Sequence, residues 1–204
     1  MAYTIWQNLD QVERYAQRRY RYLDQRLIND REQAMVERMF RRHRLGGRIL
    51  DAPVGYGRFQ PLLNSFGDVY SLDFNYFAAL YQQARLGLTS GAVNGEAGAL
   101  PFRDNIFDVV FSFRLLQHMH ETDERMAIYR EFRRVSRKWI IASYYQRTRT
   151  HQLFRRISPK QSRITMLSGR QFEDEVQAAG LSMVANLAVI PGLHAHRIAL
   201  LSAE

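Results

Sequence analysis

Between Leu9 and His43, Val12, Tyr15, Ala16, Tyr22, Leu23, Leu27, Met35, Val36, Met39 and Phe40 recur at three- and four-residue intervals among arginines and acids. That period is the apolar stripe of a helix lying on a core. The polar pair Asn29-Asp30 is where the stripe divides into two helices, and Gly46-Gly47 ends the region. Beyond it the period shortens. Residues 48–52, 69–72, 92–94, 107–113 and 139–143 read as strands, separated by helix-length segments near 58–66, 76–86 and 122–135. Strands apolar along both faces, alternating with helices, predict an α/β fold whose parallel sheet is covered on two sides. Residues 147–163 are polar and basic and read as a mobile loop or short helix. A last helix near 168–179 stops at Gly180. The strands 183–190 and 196–201 flank Pro191-Gly192, a short connection that makes them an antiparallel hairpin.

The 204 residues, 46% of them hydrophobic, are enough for one substantial core. A single domain is therefore expected, with residues 1–45 as a helical cap and 46–204 as the sheet-bearing part. Cysteine is absent, which excludes disulfides, thiolate metal sites and cysteine nucleophiles. No apolar run approaches the ~20 residues of a membrane-spanning helix, and the start lacks a basic segment followed by an apolar one, so a cytoplasmic protein is expected. The formal net charge of +9 is concentrated before Gly46 and between Arg125 and Arg170. A surplus of this kind attracts nucleic acid, anionic lipid or an acidic partner. Lys138 and Lys160 are the only lysines, however, and an arginine skew also arises from codon usage on an ordinary solvated surface.

In doubly wound sheets ligands lie beyond the C-terminal ends of the strands, and four such places carry unusual residues. Asp51-Ala52-Pro53-Val54-Gly55-Tyr56-Gly57 follows the first strand. Its glycines permit a sharp turn and close approach to a ligand, and the next helix offers N–H groups to a carboxylate; the same Gly-x-Gly also serves as a plain tight turn. Asp73 ends the second strand, where a carboxylate either accepts from two neighbouring hydroxyls or caps the following helix. The third place is Gly95-Glu96-Ala97-Gly98-Ala99-Leu100-Pro101-Phe102. The fourth is Phe107-Asp108-Val109-Val110-Phe111-Ser112-Phe113, with Asp104 and Asn105 in the turn before it.

In this order and at these intervals, the four segments resemble the class I S-adenosylmethionine (SAM)-dependent methyltransferases, especially the group similar to the ubiquinone and menaquinone biosynthesis enzymes. In that group the first motif looks like Asp-x-Gly-x-Gly-x-Gly and the later one like Gly-Asp-Ala-x-x-Leu-Pro-Phe-x-Asp-x-x-Phe-Asp. The likeness is close over about residues 48–143. It implies a Rossmann-like, doubly wound sheet of seven strands, parallel except for an antiparallel last strand, with N-terminal helices capping a SAM site. Carried over residue by residue, it implies that Gly55, Tyr56 and Gly57 pack against the methionine moiety, while Asp51 orients the loop and reaches the amino group. Asp73 would hold the ribose hydroxyls and Phe74 would lie against adenine. Glu96 would face the adenine amino group, the Ala97 N–H would meet a ring nitrogen, and Phe113 and Arg114 would border the methionine end. Two positions depart from the family's pattern. Pro53 replaces the first glycine and removes a backbone donor, and Glu96 replaces the usual aspartate and reaches farther. A nicotinamide-binding fold would instead place a third glycine at Gln60, and it gives no reason for Leu100-Pro101-Phe102.

Methyl transfer from a sulfonium is an in-line displacement, so alignment supplies most of the catalysis. A base is needed only where the acceptor loses a proton in the step. Tyr15, Tyr20, Tyr22, Arg114, His118, His120, Tyr144 and Tyr145 are candidates to line the acceptor site, with Tyr20, Arg114, His118 and Tyr144 chosen as substrate contacts. His118 is the preferred base, since imidazole takes a proton near neutral pH and follows a ligand-bearing strand end; Gln117-His118-Met119-His120 also reads as a solvated run. The pairs His118/His120 and His194/His196 have no acidic or cysteine companions, so they read as surface histidines and no metal is expected. The missing thiol excludes pyrimidine C5 methylation, and Ser112-Phe113-Arg114-Leu115 stands where many enzymes that methylate amino groups of bases or glutamine carry Asn/Asp-Pro-Pro-Tyr. With no appended RNA-binding module, a small-molecule or lipid-linked acceptor is expected, and Arg114 and the basic segment 147–163 favour one bearing carboxylate or phosphate. The alternative is a non-catalytic partner subunit or RNA-associated scaffold of the same fold, acting through its arginine-rich surface.

Overall fold

The computed structural model describes residues 6–85, 90–148, 164–192 and 195–204. The chain opens with α1 (Leu9–Arg19) and α2 (Leu23–His43). It then runs β1 (Gly47–Asp51), α3 (Gln60–Asn64), β2 (Gly67–Asp73), α4 (Tyr76–Arg85), β3 (Ala92–Asn94), β4 (Phe107–Ser112), α5 (Thr122–Val135), β5 (Ser136–Tyr145), α6 (Gly169–Ala178), β6 (Ser182–Ala188) and β7 (His196–Ser202). The seven strands form one sheet in the order β3-β2-β1-β4-β5-β7-β6. β7 runs antiparallel to both its neighbours, and every other neighbouring pair is parallel. This is the expected Rossmann-like sheet, with its reversed last strand inserted beside β5.

The uninterrupted apolar runs follow from what each face meets. Leu50, Val110, Ile140 and Leu201 join Met126, Tyr129 and Phe132 of α5 and Phe172 and Val176 of α6 in one cluster. Their chain neighbours Ile49, Val109, Ile141 and Leu200 join Val36, Met39 and Phe40 of α2 and Leu63 of α3 in the other. Successive strand residues point to opposite faces, so a strand with helices on both sides needs an apolar residue at nearly every position.

Local expectation and structure part at several places. The N-terminal helices divide at residues 20–22, not at Asn29-Asp30. α2 runs through that pair, where Asn29 Oδ1 accepts from Arg58 Nη1 (3.1 Å) and Arg58 also pairs with Glu32, so tertiary contacts outweigh the weak helix propensity of Asn and Asp. The helix ends on Arg44 in the left-handed conformation (φ 51°) rather than on glycine. Gly47 (φ 88°) instead opens β1, where a Cβ would come within 2.4 Å of the Asp108 carboxylate. β5 is longer than residues 139–143 because β4 pairs with it at Ser136 and β7 pairs along it as far as Tyr145. Residues 149–163, expected as a loop or short helix, lie outside the described residues, as does His194. Among the described residues no helix is long and apolar enough to cross a membrane.

Candidate active site

The strand order reverses between β1 and β4, and a cavity of about 330 Å³ opens beyond the C-terminal ends of the strands there, the place where doubly wound sheets take ligands. The loop after β1 contributes Asp51, Pro53, Gly55, Tyr56 and Arg58. The end of β2 contributes Asp73, Phe74 and Asn75, the segment after β4 contributes Phe113, Arg114, Gln117 and His118, and Trp6, Tyr15, Arg19 and Tyr20 close in from the N-terminal region. Of the residues expected at the site, Tyr22, Gly57, Glu96, Ala97, His120, Tyr144 and Tyr145 do not line this cavity.

Two carboxyl groups stand side by side at the ends of β1 and β2. Asp51 is buried and accepts a hydrogen bond from Gln60 Nε2 (2.7 Å). Burial, partly offset by that bond and reinforced by the charge of Asp73, pushes its pKa up to about 8. Asp73 accepts from the N–H groups of Gly55 (2.8 Å) and Asn75 (2.9 Å); burial raises its pKa and these two bonds work against the rise. Asp73 therefore ties the glycine loop to β2, a structural role its position in the sequence did not reveal. It is not the cap of α4: Asn75 is, its Oδ1 accepting from Ala78 N (3.1 Å). An ionised carboxylate has about four acceptor positions, and Asp73 spends only part of them on the backbone.

The two loop glycines differ in purpose. Gly55 (φ 57°) has nothing within 4 Å of where a Cβ would stand, whereas at Gly57 (φ 76°) a Cβ would meet the Gln82 amide at 2.0 Å. Gly57 lets the loop settle on α4, and Gly55 leaves space on the cavity side.

A buried charge cluster that the sequence reading did not find adjoins the same cavity. Glu32 of α2, fully buried, accepts from Arg58 of the β1 loop, from Arg114 Nη2 after β4 (3.0 Å) and from His196 Nδ1 of β7 (2.7 Å). Burial raises the pKa of Glu32, but the hydrogen bond from His196 and the charges of Arg58 and Arg114 outweigh it and hold the carboxyl well below the usual range. Arg114 adopts a left-handed backbone (φ 62°), and its N–H donates to Ser143 Oγ (2.7 Å). A non-glycine residue held in that region is a costly conformation that clusters at functional sites. His196 is no surface histidine. It is fully buried, stacked on Tyr145 (4.8 Å, 22°) and met edge-on by Phe113 (5.1 Å). The available signal was Glu32 itself, a charge on the stripe it shares with Val36, Met39 and Phe40.

His118 sits in a short 3-10 turn (Leu116–His118) just past β4, with Gln117 Nε2 3.2 Å from its Nε2. Burial, together with the neighbouring His120, lowers its pKa. His120 is turned away, its Nδ1 2.9 Å from Thr165 Oγ1. Tyr144 is buried on the other side of the sheet, stacked on Phe172 (3.8 Å, 8°) and accepting from Asn186 Nδ2 (2.9 Å). Strand alternation puts it opposite its neighbour Tyr145, so it is a core residue and makes no contact in the cavity.

A family model described as a methyltransferase domain matches residues 50–139, from β1 through the cavity loop into β5. The fold is that of solved methyltransferases. Magnesium protoporphyrin IX methyltransferase from Synechocystis PCC 6803 with bound SAH superposes with a TM-score of 0.72 at 18% identity, over 89% of this chain and 87% of that one. The same enzyme with bound SAM gives 0.69 at 15% identity, over 98% and 99% of the two chains. This chain has the fold of the SAM-dependent methyltransferases. A SAM-dependent methyltransferase from Aquifex aeolicus is similar over 97% of this chain and 99% of its own, with a TM-score of 0.67 and 16% identity. Among curated proteins none matches the chain.

Within this fold the four motif segments divide by task. The first two and the end of the fourth meet at the cavity. The third braces the sheet: Leu100 N donates to Glu131 (2.7 Å), Arg134 donates to the carbonyls of Leu100 (2.9 Å) and Phe102 (2.7 Å), and Phe102 packs edge-on against Phe107. Asp108 accepts from Arg48 N (2.8 Å) and pairs with Arg137 (2.9 Å), tying the start of β4 to β1 and β5. Glu96, beyond the end of β3, is exposed, and Ala97 packs against the core beneath it.

Proposed function

We propose that this protein is a SAM-dependent methyltransferase, moving the methyl group of SAM by in-line displacement onto a small-molecule or lipid-linked acceptor that carries an anionic group. The observation that supports this reading is a single cavity lined by two carboxyl groups, Asp51 and Asp73 at β1 and β2, and three guanidinium groups, Arg19, Arg58 and Arg114. SAM supplies an electrophilic methyl on a sulfonium. Asp73, with acceptor positions to spare, suits two adjacent ribose hydroxyls, Phe74 offers a flat face to adenine, and Glu96 stands along the same edge of the sheet. The open side of Gly55, with Pro53 and Tyr56, faces the methionine portion. Burial keeps the proton on Asp51 against the pull of Gln60 and Arg58, and a ligand ammonium would draw it to the ionised form.

Charge counting favours an anionic acceptor. With all carboxyls ionised, Arg19, Arg58 and Arg114 balance Glu32, Asp51 and Asp73. A ligand with an ammonium, a sulfonium and one carboxylate adds a net positive charge, which one anionic group on the acceptor offsets. Arg114, bordering Phe113 and His118, is the residue to receive it, in a planar geometry matched to carboxylate or phosphate. His118, neutral at pH 7 because burial depresses its pKa, takes the proton that an attacking hydroxyl or amine must lose. Tyr20 closes this side through its hydrogen bond with Arg58. Trp6, Tyr15 and Tyr56, linked edge-on at 5.5 and 5.6 Å, cover the cavity and keep water from the reacting centre.

The test is calorimetric titration with SAM and with its demethylated product. Wild type should bind both saturably, and Asp73→Ala should bind them roughly ten- to a hundredfold more weakly, as expected for losing hydrogen bonds to a charged acceptor. A folded wild-type protein that binds neither ligand overturns the reading.

A further inference from the structure

The most exposed large apolar side chains among the described residues are Leu23 (73%), Tyr22 (65%) and Leu27 (62%), and they stand together where α1 turns into α2. Leu23 and Leu27 lie one helical turn apart on the same face, and Tyr22 precedes them. The core does not use them: the buried positions of α2 begin at Glu32. The exposed charges between positions 14 and 27 are Arg14, Arg18, Arg21 and Arg26 against Asp24. Arg26 Nε donates to the Tyr20 carbonyl (2.9 Å) and closes the corner. Arg19 and Tyr20, within the same corner, line the cavity, so the apolar and basic patch adjoins the cavity mouth.

We propose that this corner docks the methyltransferase on an anionic phospholipid bilayer, with the cavity mouth turned toward the lipid. Large apolar side chains ringed by arginine are the composition of a segment that lies in a membrane interface, the leucines entering the acyl boundary while guanidinium groups meet the phosphates. Charge complementarity selects this occupant. A second copy of the chain across the same face would set arginines against arginines, and RNA would engage the arginines but leave Leu23 and Leu27 in water. The docking gives a lipid-linked acceptor, one of the two classes proposed above, a direct route to the cavity. In that respect it rests on the proposed function, but its test needs no acceptor.

The experiment is co-sedimentation of the full chain with vesicles of phosphatidylcholine mixed with phosphatidylglycerol, and with vesicles of phosphatidylcholine alone, at low and raised salt. Wild type should partition onto the mixed vesicles, be released by salt and ignore the neutral ones. The double variant Leu23→Glu/Leu27→Glu should partition at least roughly tenfold more weakly, the scale expected for removing two leucine side chains from an apolar phase. Its thermal unfolding and SAM titration, matching wild type, show that it folds. The proposal is overturned if wild type stays off the mixed vesicles, if the variant binds them as tightly, or if the patch instead holds two chains together or takes up single-stranded RNA without vesicle binding. A wild-type protein that binds SAM but stays off the mixed vesicles would remove this inference and leave the methyl-transfer reading standing.

Discussion

Asp51 holds a proton at neutral pH that an ordinary aspartate has lost, since burial pushes its pKa from 3.8 to about 8. A carboxyl whose folded-state pKa is raised contributes stability that is fully present below the unfolded value and is lost as pH rises through the folded one. The thermal midpoint of the wild-type protein should therefore carry a component that falls across that window. Asp51→Asn, which cannot ionise, should lack that component and unfold at a higher temperature than wild type on the alkaline side of pH 8, while binding SAM more weakly. Parallel stability–pH curves for the two proteins would mean that Asp51 is ionised throughout. The neighbouring glycines make a related point about single residues. Gly55 and Gly57 look equivalent as a motif, yet only the space around each one separates the position open to the cavity from the position that packing on Gln82 demands.

Helix α5 shows how an element is both locally written and globally held. Its start was readable from the chain, because Glu124 Oε2 accepts from the Glu121 N–H (3.2 Å) in a reciprocal capping box, a short-range device. Its anchor was not readable. Arg125 is 1% exposed and grips Glu175 of α6 through Nε (2.9 Å) and Nη2 (2.6 Å), while Nη1 donates to the carbonyls of Met119 (3.0 Å) and His120 (3.3 Å). The guanidinium thus fixes α6 against α5 and steadies the turn that carries His118. Glu175→Ala leaves this guanidinium buried without its counter-charge and should cost about 3–5 kcal/mol in urea denaturation. The double variant Arg125→Met/Glu175→Leu should cost clearly less than either single variant, because it strands no charge. A double-variant loss equal to the sum of the Arg125→Met and Glu175→Leu losses would show that the pair is not coupled.

At the scale of the whole molecule, Glu32 is the point where α2, the β1 loop, the segment after β4 and β7 converge. Glu32→Gln should destabilise the fold by about 3–5 kcal/mol near neutral pH by leaving two guanidinium groups without their carboxylate. Its folded pKa lies well below the ordinary 4.5, so the stability it confers is present above that value and is lost as pH falls. The gap between wild type and variant in acid denaturation should therefore shrink below about pH 4.5, and a pH-independent gap would contradict an ionised Glu32. The alternation of strands and helices, the closing hairpin and the four motif segments were legible because they depend on residues within a few positions of one another: face periodicity, caps, turns and the loop at each strand end. The break between the first two helices was misplaced because Asn29 is kept helical by Arg58, a partner outside any local window. The cluster of Glu32, Arg58, Arg114 and His196 was illegible for the same reason: its members are 26, 82 and 164 residues from Glu32 and meet only when β7 closes beside β5. Tyr144 and Tyr145 are equally plausible site residues on paper, and strand register alone sends one into the core and the other to stack on His196. Local order and the glycine turn after β1 were written along the chain; which charges are buried, which are paired and which face the cavity was decided by the packing of distant segments, where desolvation rather than residue type sets the energy.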